Sequence, residues 1–318
     1  MTPTLYMVLP CYNEALVLDE TAKRLATKYS ELLSADKIST DSRICFVNDG
    51  SKDATWEKIA ALHVEQPGLF SGINLARNRG HQNALLAGLM TVKDLADCVI
   101  SMDADLQDDI EAIDAMLDKF VNEGVDVVYG VRDNRDTDTA FKRGTAGIYY
   151  NLMKSLGSEN VPNSADFRLM SRRALDGLSE FHEVNLFLRG MVPLVGFKSD
   201  IVYYKRGERF AGESKYPLKK MISFAIDGIT SMSATPMRLI FWFGLTVFIL
   251  AIIAGVYVIV TKLTSHAAWG WSSTMVAIMG FGGLQLLAIG IIGEYIGKIF
   301  LEVKARPRFI VQDFLDKK

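Results

Sequence analysis

The chain has 318 residues, of which 49% are hydrophobic and 23% are charged, and its formal net charge is −2. This length allows one sizeable α/β domain and a further region. A net charge so close to zero argues against a general nucleic-acid-binding protein. The cysteines and the histidines are scattered, without the spacing of metal ligands. We therefore interpret the cysteines as buried thiols and each histidine (His63, His81, His182, His266) as a surface or satisfied residue.

Short apolar segments alternate with amphipathic segments of helical length from residue 4 to about residue 196. This alternation predicts a mostly parallel sheet with helices on both faces. Ligands bind such sheets beyond the carboxyl ends of the strands, so the residues that follow strands are the functional candidates. The predicted strands are 5–9, 44–48, 69–75, 98–102 and 125–130, and the predicted helices are 14–34, 54–65 and 82–95.

Polar residues follow the first two predicted strands, in the segments 10–14 (Pro-Cys-Tyr-Asn-Glu) and 48–51 (Asn-Asp-Gly-Ser). Asp49 could accept hydrogen bonds from a base or a ribose, and the glycine after it would let the backbone approach a ligand. Helix capping is an equal alternative for Asn13 and Ser51. The glycine-rich fingerprints of ATP and dinucleotide sites are missing, and so is the nucleophile elbow of serine hydrolases.

Carboxylates follow the fourth predicted strand, at Asp103, Asp105 and Asp108, with the amide of Gln107 among them. In an extended segment, residues i and i+2 point the same way, so Asp103 and Asp105 can converge on one point. Such a pair suits Mg²⁺ or Mn²⁺, which shares its remaining positions with water and substrate phosphates. A solvated acidic turn is the alternative that an isolated Asp-x-Asp pattern leaves open.

Two long segments in the last third, 239–261 and 269–293, contain no charged residue. Roughly 20 apolar residues cross a bilayer core, so we predict a transmembrane helical hairpin. Basic residues lie before the first segment and after the second, whereas the connecting loop has only Lys262. This charge distribution predicts that both ends face the cytoplasm. Glycines in the second segment would allow hairpins to pack into a homo-oligomer.

Apolar residues between 215 and 235 fall on one helical stripe, with Lys219 and Lys220 beside it. This pattern predicts a helix in the plane of the lipid headgroups, with an amphipathic core helix as the alternative.

In order and spacing, the motifs at 10–14, 47–51 and 103–108 resemble glycosyltransferase family 2, which has the GT-A fold. The motifs at 166–170, 206–209 and 212–217 resemble its polyprenyl-phosphate branch, which includes dolichol-phosphate mannose synthase and the bactoprenol glucosyltransferases. The resemblance covers nearly the whole chain. It implies an α/β, Rossmann-like GT-A catalytic domain at 1–213, an interfacial helix region at 214–235, two transmembrane helices at 236–300 and a cytoplasmic tail at 301–318.

The resemblance also implies roles for the residues that match these motifs. Asp166 would orient the donor sugar or an arginine, or would cap the next helix. Two departures from the family pattern are Asp109, where proline is frequent, and the pair at 164–165, where Val-Gly is common. The implied nucleotide-binding residues are Pro10, Tyr12, Glu14, Asp49, Ser51, Asp103 and Ala104; the ligands of Mg²⁺ or Mn²⁺ are Asp103, Asp105 and Gln107; and the catalytic residues are Asp105, Asp166, Arg206, Arg209 and Lys215.

The implied function is inverting transfer of a sugar from a UDP-sugar donor to a polyprenyl phosphate, such as undecaprenyl phosphate. The transfer would take place at the cytoplasmic face of the inner (plasma) membrane, for modification of cell-envelope glycans. Glucose is our choice; N-acetylglucosamine, galactose, mannose and aminoarabinose stay open.

Two other functions are compatible with parts of the sequence. A polysaccharide synthase of the same superfamily typically carries a Gln-x-x-Arg-Trp motif and further membrane spans, which we do not find here. A non-enzymatic scaffold that binds nucleotide sugar or lipid is the other. The intact set of acidic and basic site residues argues against it.

Overall fold

The structure, a computed structural model, describes residues 2–105, 107–133, 161, 164–205, 207, 235–263 and 271–316. The chain forms two compact units, Met1–Met221 with Arg306–Lys318, and Ile222–Ala305. Three of the predicted catalytic residues, Arg206, Arg209 and Lys215, lie outside the described residues, and so does the predicted interfacial helix up to residue 234.

The first unit is built on an eight-stranded sheet with the order β7-β5-β6-β4-β1-β2-β3-β8. Strands β1, β2, β3 and β4 are parallel to their neighbours among these four, and β5 is parallel to β7. Antiparallel pairs join β4 to β6, β5 to β6 and β3 to β8. The predicted α/β class with a mostly parallel sheet is confirmed. The strands are β1 (Leu5–Cys11), β2 (Arg43–Asn48), β3 (Phe70–Leu75), β4 (Cys98–Ser101), β5 (Val127–Arg132), β6 (Ser164–Ser171), β7 (Ser199–Tyr204) and β8 (Val311–Leu315).

Helices pack on this sheet, and those that follow the parallel strands β1, β2 and β3 begin at its carboxyl edge. Strands β1, β2 and β3 are buried along their whole length, because helices cover both faces of a parallel sheet. On α3, a Cβ atom at Gly88 would lie 2.4 Å from Val8 Cγ1 and 2.7 Å from Val47 Cγ2, so this glycine lets the helix lie directly on β1 and β2. The helices of this unit are α1 (Leu18–Ser34), α2 (Thr55–Glu65), α3 (His81–Val92), α4 (Ala112–Glu123), α5 (Arg172–Ser179) and α6 (Leu188–Leu194).

The second unit consists of α7 (Thr235–Leu263) and α8 (Trp271–Lys304), which contact each other. Large apolar side chains such as Trp242 on α7 and Leu286 on α8 are exposed, at 62% and 71%. Judged on the described residues, no helix combines the length and the apolar character needed to cross a membrane. The predicted crossing is therefore not confirmed.

The segment after α8 returns to the first unit. In place of the predicted tail at 301–318, α8 continues to Lys304 and residues 311–315 form β8. This strand pairs antiparallel with β3 and makes an edge of the sheet. Strands β6, β7 and β8 are not among the predicted strands.

Candidate active site

The segments that follow β1 and β2 are joined by hydrogen bonds. The N–H of Asn13 donates to Ser51 Oγ at 3.0 Å, and the N–H of Lys52 donates to Asn13 Oδ1 at 2.9 Å. Asn13 has a φ of 54°, a left-handed conformation that asparagine tolerates better than most residues. The N–H of Glu14 donates to Thr55 Oγ1 at 3.0 Å. Asn13 and Ser51 thus join two loops, and neither caps α1 or α2 through its side chain.

Asp49 connects this pair of loops to the segment that follows β3. Its buried carboxylate accepts hydrogen bonds from the N–H groups of Arg79, at 2.6 Å, and Gly80, at 2.9 Å. Burial raises the pKa of Asp49, although these two hydrogen bonds act in the opposite direction. Gly50 has a φ of 60°, and a Cβ atom there would lie 2.5 Å from the backbone nitrogen of Asn78. Glycine is therefore required where the two loops meet.

The other predicted nucleotide-binding residues of β1 lie at the same edge. Pro10 is buried near the end of β1, opposite Val47 of β2, and Tyr12 is partly exposed just beyond the strand. Nucleotide binding by these residues, and by Glu14, Asp49 and Ser51, stays a prediction.

The residues 103–108, which we call the acidic turn, follow β4. The buried Thr21 hydroxyl of α1 donates to the carbonyl oxygen of Ala104 at 2.8 Å, which fixes the turn against the buried face of this helix. Within the turn, the N–H of Gln107 donates to Asp105 Oδ1 at 3.2 Å. Helix α1 therefore holds the backbone that carries the predicted metal ligands.

The far end of the acidic turn is held by β7 and the residues after it. The Tyr204 hydroxyl donates to Asp108 Oδ1 at 2.5 Å, and Arg132 Nε donates to the Tyr204 oxygen at 3.1 Å. The N–H of Gly207 donates to the carbonyl oxygen of Gln107 at 2.9 Å. The other carboxylate oxygen of Asp108, Oδ2, is buried and has no hydrogen-bond partner among the described residues. Tyr204 and Arg132 belong to no motif and are not among the predicted site residues.

His81, the first residue of α3, lies between two carboxylates. Its Nε2 is 3.5 Å from Asp103 Oδ1 and 3.3 Å from Asp166 Oδ2. Burial lowers the pKa of His81, but the two carboxylates outweigh it and the pKa is raised. His81 is not among the predicted site residues. Its position just beyond β3, where ligands of such sheets bind, was the signal that could have identified it.

Asp166 lies in β6, and its buried carboxylate contacts two arginines. Arg168 Nη2 is 2.7 Å from Oδ1, and Arg189 Nη2, on α6, is 3.0 Å from Oδ2. Burial raises the pKa of Asp166, but His81 and the two arginines hold it well below its usual range. Of the three predicted roles, orientation of an arginine matches these contacts, whereas α5 is capped by Ser171. A direct contact with the donor sugar stays a prediction.

Carboxylates crowd the acidic turn. Burial, reinforced by the charges of Asp108, Asp166 and Asp105, raises the pKa of Asp103 to about 6, although His81 acts in the opposite direction. Oxygen ligands with excess negative charge fit a divalent cation. Within the part of the chain that is described, no three or more His, Cys, Asp or Glu side chains are arranged to hold a metal ion. The predicted ligands are two carboxylates and the amide of Gln107, and they stay a prediction.

Comparison with known families and proteins identifies two regions of the chain. The glycosyl transferase family 2 model matches residues 6–178, and the GtrB C-terminal hairpin model matches residues 235–299. The uncharacterized glycosyltransferase YkoT of Bacillus subtilis (strain 168) is 51% identical, over 97% of this chain and 91% of its own. The prophage bactoprenol glucosyl transferase homolog of Escherichia coli (strain K12) is 39% identical, over 96% of this chain and 97% of its own.

Among solved structures, the chain is similar to glucosyl-3-phosphoglycerate synthase from Mycobacterium tuberculosis in complex with Mn²⁺, UDP and phosphoglyceric acid. The TM-score is 0.46 and the identity 15%, over 72% of this chain and 76% of that one. The family model and the full-length relatives confirm the predicted family. The chain belongs to glycosyl transferase family 2 and contains a hairpin of the GtrB C-terminal type.

Proposed function

We propose that this protein transfers glucose from UDP-glucose to a polyprenyl phosphate. The observation that carries the proposal is the hydrogen bond from the N–H of Gly207 to the carbonyl oxygen of Gln107. Gly207 belongs to the segment 206–215, which contains Arg206, Arg209 and Lys215. The bond therefore supports a position of the start of this segment next to the acidic turn. A diphosphate donor and a phosphate acceptor would each require positive charge next to these carboxylates. Relatives that are 38–39% identical over nearly the full length carry the name bactoprenol glucosyl transferase, which supports the acceptor.

The cofactor of this proposal is Mg²⁺ or Mn²⁺, held by Asp103, Asp105 and Gln107. Mg²⁺ commonly binds through one or two carboxylates together with substrate phosphates, so two carboxylates suffice when the donor is present. The unpartnered Oδ2 of Asp108 and the raised pKa of Asp103 support the fit, because a cation would relieve repulsion among these groups. When bound, the cation neutralises charge that develops on the leaving diphosphate.

In the reaction, a phosphate oxygen of the acceptor bonds to the anomeric carbon of glucose while the bond from that carbon to the UDP oxygen breaks. The attacking oxygen is already anionic, so a strong general base is not needed. Asp166 is a poor base in any case, because its low pKa leaves little affinity for a proton. We assign it the task of positioning Arg189 and His81 at the edge of the donor site. Arg206, Arg209 and Lys215 would bind the acceptor phosphate.

We further propose that the hairpin anchors the protein in the inner membrane and leaves the catalytic unit in the cytoplasm. The uncharged segments 239–261 and 269–293, the basic residues that flank them and the match to the hairpin family support this. The exposed apolar side chains of α7 and α8 support a lipid environment. Sodium carbonate should fail to extract the protein from bacterial membranes, and release into the supernatant would contradict the anchor.

The test is a screen of radiolabelled nucleotide sugars against undecaprenyl phosphate, with the full-length protein in detergent. We expect label from UDP-glucose in the lipid extract when Mg²⁺ or Mn²⁺ is present, and none with EDTA. Transfer from another donor would mean that the substrate is that sugar and not glucose. Donor binding without transfer would favour the scaffold, and a labelled polymer would favour the polysaccharide synthase.

A further inference from the structure

A row of hydrogen bonds crosses three neighbouring strands, from β8 through β3 to β2. Asn74 Nδ2 donates to Asp313 Oδ2 at 3.0 Å, and Asn48 Nδ2 donates to Asn74 Oδ1 at 2.8 Å. The N–H of Ser51 then donates to Asn48 Oδ1 at 3.1 Å. Asn48 lies opposite Asn74 in the sheet, and Asn74 lies opposite Asp313. The row therefore joins the C-terminal strand to the loop that follows β2.

The charge at one end fixes the direction of the whole row. A carboxylate can only accept hydrogen bonds, so next to Asp313 the side chain of Asn74 must present its NH₂ group to β8 and its oxygen to β2. That oxygen in turn selects the NH₂ group of Asn48, which leaves the oxygen of Asn48 facing the N–H of Ser51. Asn48 and Asn74 are buried, at 3% and 8% exposure, so a reversed amide would leave polar atoms unpaired at a cost.

A second set of contacts joins the C-terminal segment to the same edge. The N–H of Ala76 donates to the carbonyl oxygen of Ile310 at 3.0 Å, and Arg79 Nη2 is 3.4 Å from the carbonyl oxygen of Pro307. Arg79 is also the residue whose N–H binds the carboxylate of Asp49. Residues 307–313 thus contact the segments that follow β2 and β3.

We propose that Asp313 is a positioning residue for the nucleotide-sugar donor. Through Asn74 and Asn48 it fixes the loop 49–52 in the conformation that receives the donor. The C-terminal strand then helps to position the donor site, although it follows the hairpin in sequence. This inference rests on the proposed function, in which the edge formed by the loops after β1 and β2 binds the nucleotide.

Asp316 provides a matched control on the same segment. Its Oδ2 accepts a hydrogen bond from the Tyr6 hydroxyl at 3.1 Å, so it also ties the C-terminal segment to the sheet. This bond leads to β1 and does not belong to the row. A purely structural role of the C-terminal strand predicts similar effects of Asp313→Ala and Asp316→Ala, whereas a positioning role predicts an effect of Asp313→Ala alone.

The experiment measures donor KM, kcat and amide hydrogen exchange in the full-length protein. Asp313→Ala should raise the KM for UDP-glucose about fivefold, the equivalent of one hydrogen bond of ~1 kcal/mol, with kcat nearly unchanged. It should also speed exchange of the Ser51 amide. Asp313→Asn keeps an acceptor oxygen, so its KM and its Ser51 exchange rate should be close to those of the wild type. Asp316→Ala should leave KM and the Ser51 amide as in the wild type.

Unchanged KM and unchanged Ser51 exchange in Asp313→Ala would overturn the inference, as would equal changes in Asp316→Ala. The exchange measurement needs no substrate. If the wild type transfers no sugar, the proposed function fails, and protection of the Ser51 amide still decides whether Asp313 fixes the loop.

Discussion

Two acidic groups lie at the carboxyl edge of the sheet, and their electrostatic states are opposite. One is the acidic turn, and the other is the single carboxylate of Asp166 with its cationic partners. In the acidic turn, burial and neighbouring carboxylates raise the pKa of Asp103 to about 6. In β6, two arginines and a histidine hold the pKa of Asp166 well below its usual range. Both groups are removed from water at least in part, and His81 contacts both. The difference in pKa between Asp103 and Asp166 therefore comes from the charges of the neighbouring side chains.

This difference separates two tasks that a carboxylate can perform in a glycosyltransferase site. A carboxylate that is short of positive charge is stabilised when a cation arrives, so the acidic turn is suited to bind a metal and a diphosphate. Asp166 is already paired with the cationic side chains of Arg168 and Arg189, so a further cation would stabilise it little. It holds side chains in place instead. Substitutions in the two groups should consequently separate activity from stability.

The largest effect on activity should follow Asp105→Asn. The substitution removes a charge from the proposed metal site but keeps the shape of the side chain, so kcat/KM should fall by at least about 100-fold. Thermal unfolding should stay near the wild-type temperature. Asp109→Asn is the control, because Asp109 lies just beyond the turn. Its Oδ1 accepts a hydrogen bond from the N–H of Glu111, and an asparagine oxygen can accept the same bond. Near-normal turnover of Asp105→Asn would remove this carboxylate from the mechanism.

The largest effect on stability should follow Asp166→Asn. Arg168 is 2% exposed, and loss of its partner would leave a buried charge without compensation. Breaking a buried ion pair in this way typically costs about 3–5 kcal/mol of unfolding free energy. Urea denaturation, followed by a signal from the first unit, should show this loss of unfolding free energy in Asp166→Asn. Asp103→Asn in EDTA should show no such loss. If the two variants were equally stable, the electrostatic contrast between the two groups would be wrong.

The parallel part of the fold could be predicted because its strands are buried on both faces and consist of continuous apolar runs. Strand β6 was hidden by its own ion pair, since Asp166 and Arg168 interrupt the apolar pattern while neutralising each other inside the sheet. Strand β8 is half-buried, and it follows a helix that the sequence analysis assigned to a membrane. Both departures arise from partners that lie far away in sequence.

The site was predictable to the extent that its residues directly follow strands. Asp49, Asp103 and Asp105 were predicted in this way to share one edge of the sheet, and they follow β2 and β4 at that edge, whereas their roles stay predictions. Arg189 and Tyr204 were not, because only tertiary packing brings α6 to β6 and β7 to the acidic turn. Local sequence pattern carries no information about such contacts.

A smaller effect on activity should follow Arg189→Lys. Arg189 approaches both oxygens of Asp166, with Nε at 3.3 Å and Nη2 at 3.0 Å. Lysine keeps the charge but loses this forked geometry, so kcat/KM should fall about tenfold, the equivalent of one charged hydrogen bond. Arg172→Lys is the control, because Arg172 donates to the carbonyl oxygen of Ala96 on the far side of β4. An equal loss in both variants would mean that Arg189 affects activity only through folding, as an arginine away from the site does.

The smallest effect should be that of Asp103→Asn on the pH dependence of stability in EDTA, and its sign should be opposite to that of Asp166→Asn. The folded-state pKa of Asp103 is raised from 3.8 to about 6, so the folded state binds a proton more tightly than the unfolded chain and loses stability as the pH rises through this window. Asp103→Asn should therefore melt above the wild type at pH 7, and the difference should disappear at pH 4.

Asp166 has a lowered pKa, so its stabilisation is complete above the unfolded value near 4 and is lost only as the pH falls further. Asp166→Asn should melt below the wild type at pH 7 and at pH 5, with the gap closing in stronger acid. Differential scanning calorimetry of the two variants and the wild type across this range measures both signs together. Added Mn²⁺ at pH 7 should raise the melting temperature of the wild type but not of Asp103→Asn, because a ligand that binds only the folded state stabilises it. Melting differences with the same sign at both positions would show that Asp103 is neutralised by protein groups, as Asp166 is, and would leave the acidic turn without its need for a cation.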